Sequence, residues 1–408
     1  MIKNVIDNSF FKSLSYIFVS GASKGFNYII LLYLAVGVYL EYYVTILLLM
    51  SMEQILSLLL PLNQSSVIYS KTIVDYKSIT NKLLSSSLLI TLLCIVVFLV
   101  TKELFYSYFG THKIIVFMSI FISMIINSYL TYLTNYYKLI EKHGKALLIQ
   151  GLLMISFGSI LLHIIFVEDK VVAFFLGKSV GLLLVLVFVT TLNLTKFKFE
   201  MGFLSLKEIK QVLNLFSVST LGWISGLGFM NLAKIYSTPT QLTDIGYVLN
   251  IFNVFLLISI GINSVYGPLI KKNITNNNLD KVIKIKNKTL IIYLSIAIII
   301  IIFYLVFQNL NLSFNDRIVK VTSALPFAVL LYVFNVFHWV SQPFYMVNNK
   351  FNNYNYINII SYVIWAIIII VGLYFEYKTF IIFLILIHLI KGLLSYFYAK
   401  IKFMNTTS

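Results

Sequence analysis

The sequence predicts an all-α polytopic membrane protein of about twelve transmembrane helices in two six-helix bundles, with both termini cytoplasmic. Three observations carry this expectation. Hydrophobic residues fill 60% of the 408 positions and charged residues only 11%, with a mean hydropathy of +0.92, whereas soluble domains run near a quarter charged. Apolar runs of about 20 residues, enough for a helix to cross the bilayer's hydrocarbon core, recur from end to end. The lysines between those runs are unevenly shared between the two sides, which is the signal that sets orientation.

The predicted spans are 12–36, 42–62, 83–101, 114–137, 146–167, 171–191, 212–233, 245–268, 289–308, 320–342, 356–375 and 379–400. The first follows a basic flank (Lys3, Lys12) and reads as an uncleaved helix. Its "AVG" at 35–37 is a faint echo of a signal-peptidase site, but Lys24 interrupts the apolar stretch and eleven spans follow. The second restarts after the short outer loop holding Glu41, and the third is the run between Lys82 and Lys102. The fourth is bounded by Lys113 and Lys138, and "EDK" at 168–170 separates the fifth from the sixth. The connection "NLTKFKFEMGFLSLKEIKQ" then divides six spans from six. Its "LSLKEIKQVLNLF" part is amphipathic and suits the membrane interface before the seventh span. This gives an N-terminal bundle at 1–195, a linker at 196–211 and a C-terminal bundle at 212–408. The eighth span follows Asp244, the ninth follows the lysines at 281–288, and the tenth follows Arg317 and Lys320. An asparagine-rich connection precedes the eleventh, and Lys378 and Lys400 bracket the twelfth.

With the N-terminus inside, the tail and even-numbered loops hold 21 Lys and Arg, against 7 in the odd-numbered loops. That asymmetry places both ends in the cytoplasm. It also disposes of nucleic acid as the reason for a net charge of +17, because the lysines lie in short loops rather than in a basic domain. No loop exceeds about twenty residues, so soluble chemistry has no domain of its own. Cys94 is the sole cysteine, which excludes an intrachain disulfide or CxxC metal site, and nothing calls for a metal or cofactor.

Ionisable residues inside spans are rare and are functional candidates by default. Here they are Lys24, Glu53, His163, Lys178, His338, His388 and Lys391. Helical spacing sorts them onto faces. Ser13, Tyr16, Ser20, Lys24 and Asn27 form one stripe; Glu53 and Ser57 are a turn apart; Asn250 and Asn253 lead another stripe. Asn335, His338 and Gln342 line span 10, and His388, Lys391 and Ser395 line span 12. Shared polar faces suit a water-accessible cavity. Each residue has a plainer reading: Lys24 paired with Glu53, Lys178 snorkelling to the outer interface, His163 packed, His338 and His388 satisfied in the core. Three buried lysines against one glutamate make the interior cationic, which favours an anionic substrate such as a phosphate, diphosphate or acidic sugar. Lys24, Lys178, Lys391, Asn27, Asn250, Asn253 and His338 are the substrate-binding candidates, and Glu53 and His388 the ion-coupling candidates.

A weak echo relates the halves: "YLAVGVYLEYY" after span 1 and "NLAKIYSTPTQLTDIGY" after span 7. With "LYLAVGVYLEYYVT", "STPTQLTDIGYVLNIFNVF" and "QPFYMVNNKFNNYNYINIISYVIW", the chain resembles the Wzx-type polysaccharide flippases, exporters of O-antigen or capsule repeat units in the MATE-like MOP superfamily. It departs from their pattern at Tyr43, where a glycine is usual. The resemblance implies a bacterial cytoplasmic (inner) membrane protein. It would pass undecaprenyl-diphosphate-linked oligosaccharide to the outer leaflet by alternating access between two six-helix bundles. It further implies lysines on the diphosphate or acidic sugar, an H+ or Na+ gradient as reset, membrane lipids around the protein, and polymerase and chain-length proteins as pathway partners. An oligosaccharide polymerase, a lipid-phosphate glycosyltransferase and a MATE-type antiporter are the rivals. The first wants a large outer loop with arginines, the second an acidic early outer loop, and the third more buried acid than Glu53.

Overall fold

The computed structural model describes residues 19, 25, 27–36, 40–59, 73–139, 142–194, 202–206, 208–209, 220–276, 278–309, 316–347, 351–375 and 380–401. All the elements among them are helical: α1 Asn27–Val36, α2 Leu40–Leu59, α3 Ile73–Phe109, α4 Ile114–Leu139, α5 His143–Leu152, α6 Met154–Phe166, α7 Lys170–Thr191, α8 Gly228–Tyr236, α9 Pro239–Thr275, α10 Leu279–Asn309, α11 Asp316–Ser323, α12 Leu325–Val347, α13 Phe351–Tyr374 and α14 Phe380–Ala399. Ten segments among the described residues are long and apolar enough to cross a membrane, from Tyr42–Leu59 to Phe380–Ala399. They match the second to sixth and eighth to twelfth predicted spans. The first and seventh run into residues outside the described set; residues 19, 25 and 27–36 are what is described of the first and 220–233 of the seventh.

Three irregularities break the expected rods. In α3 the backbone leaves helical geometry at Thr101 (φ −106°, ψ 15°), and the helix then continues to Phe109, past the predicted end of the span. The Thr101 hydroxyl donates to the Val97 carbonyl at 2.7 Å, a back-bond that helices bend around. The fifth span is two helices, α5 and α6, meeting at Leu153, and the tenth is likewise split into α11 and α12 at Ala324.

Two compact units are present. One is Tyr39–Gly228; the other takes in the described part of Met1–Val38 together with Phe229–Ser408. Close packing therefore partitions the chain at 38/39 and 228/229, a different partition from the six-plus-six order of spans.

Within 39–228, α7 packs most extensively on α6 and next on α4. The α6–α7 approach is backbone to backbone. A Cβ on Gly181 would sit 2.4 Å from Ser156 Cα, and one on Gly177 would sit 2.8 Å from Ile160 Cα. Glycines four apart let helices meet this closely where lipid offers no hydrophobic drive to press them together. At the end of α7 that charge asymmetry assigns to the outside, Asp169 caps the helix by accepting from the Val171 and Val172 backbone N–H at 2.9 and 3.0 Å. The same carboxylate pairs with Lys113 at 2.6 Å. Lys170 closes the end of α6, donating to the carbonyls of Ile164 and Val167 at 2.8 Å each. In the linker, Ser205 and Glu208 form a reciprocal capping box: the Ser205 N–H donates to Glu208 Oε2 at 2.7 Å and the Glu208 N–H to Ser205 Oγ at 3.4 Å. Lys82 of α3 holds Glu208 at 3.3 Å, leaving Phe203 and Leu206 exposed, in keeping with an interfacial segment.

In the other unit α12 is central, packed on α14, α9 and α10. An aromatic knot fills the junction: Trp339 lies against Phe252, Tyr293 and Tyr332. Its hydroxyls are satisfied, Tyr293 donating to the Ser259 carbonyl at 3.1 Å and Tyr332 to the Tyr293 carbonyl at 3.2 Å. The outward faces of α3, α10 and α13 carry exposed Leu, Ile and Val (Leu92, Val96, Val100, Ile298, Ile302, Ile367, Ile370), as a lipid-facing belt requires.

Candidate functional site

The polar stripes predicted for spans 10 and 12 face each other. From α12, Asn335 meets His388 Nδ1 on α14, and His338 Nδ1 shares a hydrogen bond with Ser395 Oγ at 2.9 Å. Tyr345 closes the seam by donating to the Ser395 carbonyl at 2.7 Å. The partner numbers rise together, so α12 and α14 run parallel, as two even-numbered spans must. Contact is possible because Gly392 lies in the seam: a Cβ there would fall 2.2 Å from the Phe334 carbonyl oxygen. Phe252 of α9 walls the site, its ring 5.1 Å from that of His388.

Lys391 occupies the middle of this arrangement, between His388 and Ser395 on the same face. It is buried, with 8% of its surface exposed, and among the described residues it makes no ion pair and no hydrogen bond. Neither α12, α13 nor α14 carries an acidic residue to neutralise it. A buried cation without a counterion is costly, and an ionisable side chain at this depth is rare.

Asn250 and Asn253 are buried on α9. Asn250 turns to α1, donating to the Tyr28 carbonyl at 3.3 Å, so it joins Asn27's helix rather than the α12–α14 seam. Asn250 Oδ1 and Asn253 Nδ2 have no hydrogen-bond partner among the described residues, two polar atoms free for a ligand or water. Lys24 lies outside the described residues.

The second charged locus is in the other unit. Lys178 Nζ sits 2.6 Å from Glu53 Oε1 and 2.7 Å from Oε2, with side-chain exposures of 16% and 6%. This overturns the snorkelling reading of Lys178: its ammonium is drawn inward to a carboxylate. It also gives Glu53 a partner other than Lys24. Geometry explains the choice, because Gly177 and Gly181 commit one face of α7 to α6, and residue 178, about 100° further round, projects away from it. The GxxxG spacing in "GKSVG" was the available signal for that orientation. His163 is a packed histidine, its Nδ1 bonded to the Ser159 carbonyl at 2.8 Å. Among the described residues no group of His, Cys, Asp and Glu is placed to hold a metal.

No family model and no curated protein matches the sequence. Solved structures do match over nearly the whole chain. A MOP superfamily transporter from Pyrococcus furiosus superposes with a TM-score of 0.67 at 13% identity, covering 96% of this chain and 94% of its own; it is described as having a binding pocket of reversed polarity that suggests a different function. The fold is that of the MOP superfamily transporters. Two MATE structures agree: one in complex with MaD3S (TM-score 0.66, 14% identity, 96% and 94% covered) and one outward-facing multidrug resistance transporter (TM-score 0.65, 12% identity, 96% and 94% covered). In this MOP fold the α12–α14 cluster and the Glu53–Lys178 pair lie in different compact units. Among the described residues, the first locus is a lone lysine and the second an internally neutral pair.

Proposed function

We propose that the protein is a transporter of the bacterial cytoplasmic membrane that turns an anionic, lipid-linked oligosaccharide from the cytoplasmic to the outer leaflet by alternating access. The single observation that carries this is Lys391, a buried ammonium with no acidic neighbour on α12, α13 or α14, flanked by His338 and His388. Sugars and diphosphate do not cross hydrocarbon unaided, whereas a lipid tail remains in it. A cation held in a polar seam suits the diphosphate or an acidic sugar, and the free amide atoms of Asn250 and Asn253 suit sugar hydroxyls. Lys24 and Asn27 are assigned to the same ligand from their stripe on the first span, and His388 to proton coupling. The resemblance of the sequence to Wzx-type flippases supports this substrate over the drugs that other MOP-fold transporters carry, and partners would be the polymerase and chain-length proteins of that pathway.

Gene deletion tests the reading. Lipid-linked repeat units then accumulate on the cytoplasmic leaflet, and Lys391→Ala fails to restore export although it inserts normally. Single repeats capped at the cell surface would point to a polymerase instead. Unchanged glycan with altered drug resistance would favour the antiporter.

A further inference from the structure

We propose that Glu53 is a monovalent-cation site that the chain fills with its own ammonium, Lys178, so that the unit 39–228 exchanges neither H+ nor Na+ at this carboxylate. The geometry is that of an occupied site. Oε2 accepts a hydrogen bond from Lys178 Nζ at 2.7 Å and Oε1 lies 2.6 Å from the same ammonium as an ion pair without a hydrogen bond of its own, in a carboxylate side chain that is 6% exposed. The lysine holds the position and supplies the charge that a bound cation would.

Among the described residues of the helices packed on it, no other charge competes for it. Glu53 is the one charged residue in 42–59 of α2, and Lys178 is the one in 171–191 of α7. The other long helices packed on α2 are α4 and α3, and Trp223 of residues 220–223 donates to the Ser51 carbonyl of α2 at 2.8 Å. Between Lys113 and Lys138, α4 carries only tyrosines as titratable groups: Tyr129, Tyr132, Tyr136 and Tyr137. Between Lys82 and Lys102, α3 carries only Cys94. Among the described residues the pair is therefore a neutral unit. A carboxylate this buried is unstable alone and must take either a partner or a proton. With Lys178 in place it needs neither solvent proton nor sodium. This inference does not rest on the substrate, and it removes Glu53 from the ion-coupling candidates, leaving His388.

The test is the thermal stability of the purified full chain in detergent. It is measured in NaCl against choline chloride at equal ionic strength, and across pH from about 5 to 8. A ligand that binds the folded state raises Tm, so occupancy is read without any transport assay. The wild type is expected to respond to neither variable through Glu53, giving profiles of the same shape as the double variant Lys178→Met, Glu53→Gln, in which neither charge remains. Lys178→Met frees the carboxylate and acquires a Tm that rises by several degrees with Na+ or on acidification. The double variant Lys178→Met, Glu53→Gln loses that response. A Na+ or pH response in the wild type that the double variant lacks overturns the proposal, as does a Lys178→Met protein indifferent to both. Where Lys178→Met cannot be purified, the comparison of wild type with the double variant, which leaves no unpaired charge, decides alone. Failure of the flippase reading leaves these outcomes unchanged.

Discussion

Replacing Gly392 by alanine tests whether the α12–α14 seam is set by backbone contact. The added Cβ would lie 2.2 Å from the Phe334 carbonyl oxygen and 3.3 Å from its carbon. Ordinary contact begins at 3.4 Å, so the helices must part locally by 3.4 − 2.2 = 1.2 Å. The obstacle is main chain and has no rotamer to yield. The cost should fall in the range of core overpacking, about 1–3 kcal/mol. Gly158 is the control, since nothing lies within 4 Å of its added Cβ. Alanine there should be neutral or stabilising by up to about 1 kcal/mol, because it removes glycine's backbone freedom from a helix. The assay is reversible unfolding of the purified protein in mixed micelles as the fraction of SDS is raised. A second readout is export, because separating the helices weakens the Asn335–His388 and His338–Ser395 bonds that flank Lys391. If Gly392→Ala is as stable as the wild type, or if Gly158→Ala loses as much, contact between backbones does not set this seam.

Three further outcomes follow from the same geometry. Lys391→Met should raise stability by about 1–3 kcal/mol while abolishing export, because it removes a buried charge that no acid on α12, α13 or α14 compensates; a fall in stability would show the ammonium to be structural. Burial pushes the Asp169 carboxyl up, but Lys113 and the Val171 and Val172 N–H groups together outweigh it and hold it below its usual 3.8. A carboxyl lowered on folding stabilises above its unfolded value, and that contribution is lost as pH falls through the lowered one. The Tm gap between wild type and Asp169→Asn should thus be constant from about pH 8 to 5 and shrink below about pH 4; a gap that widens on acidification contradicts the ion pair. Glu208→Ala should release residues 202–209 from α3, seen as faster amide exchange confined to that segment. The cost should stay below about 1–2 kcal/mol, since the lost Lys82 contact is a partly exposed ion pair and the lost cap a single capping box.

Hydropathy located ten spans, because the length of an apolar run is itself the physical requirement for crossing lipid. Some of its ends miss by eight or nine residues, as at Phe109 against a predicted 101 and Asp280 against a predicted 289. Hydropathy was blind to the breaks at Leu153 and Ala324, which fall inside predicted spans, whereas the break at Thr101 lies at the predicted end of the third span, just before Lys102 and Glu103. Helical period was enough to put Asn335 and His338 on one face and His388, Lys391 and Ser395 on another. That those faces meet depends on Gly392, whose lack of a side chain leaves no trace in a polarity pattern. The Glu53–Lys178 pair joins residues 125 apart in sequence, and spacing along a helix says nothing about partners at that range. What signal existed was the pair of glycines bracketing Lys178.

Those glycines have a mechanical consequence. With Ser156 Cα and Ile160 Cα pressed against Gly181 and Gly177, α6 and α7 cannot roll or slide past each other without collision. They form one stiff plank, and Lys178 is bolted to its side. Any motion of that plank away from α2 is registered at once as a stretched ammonium–carboxylate distance.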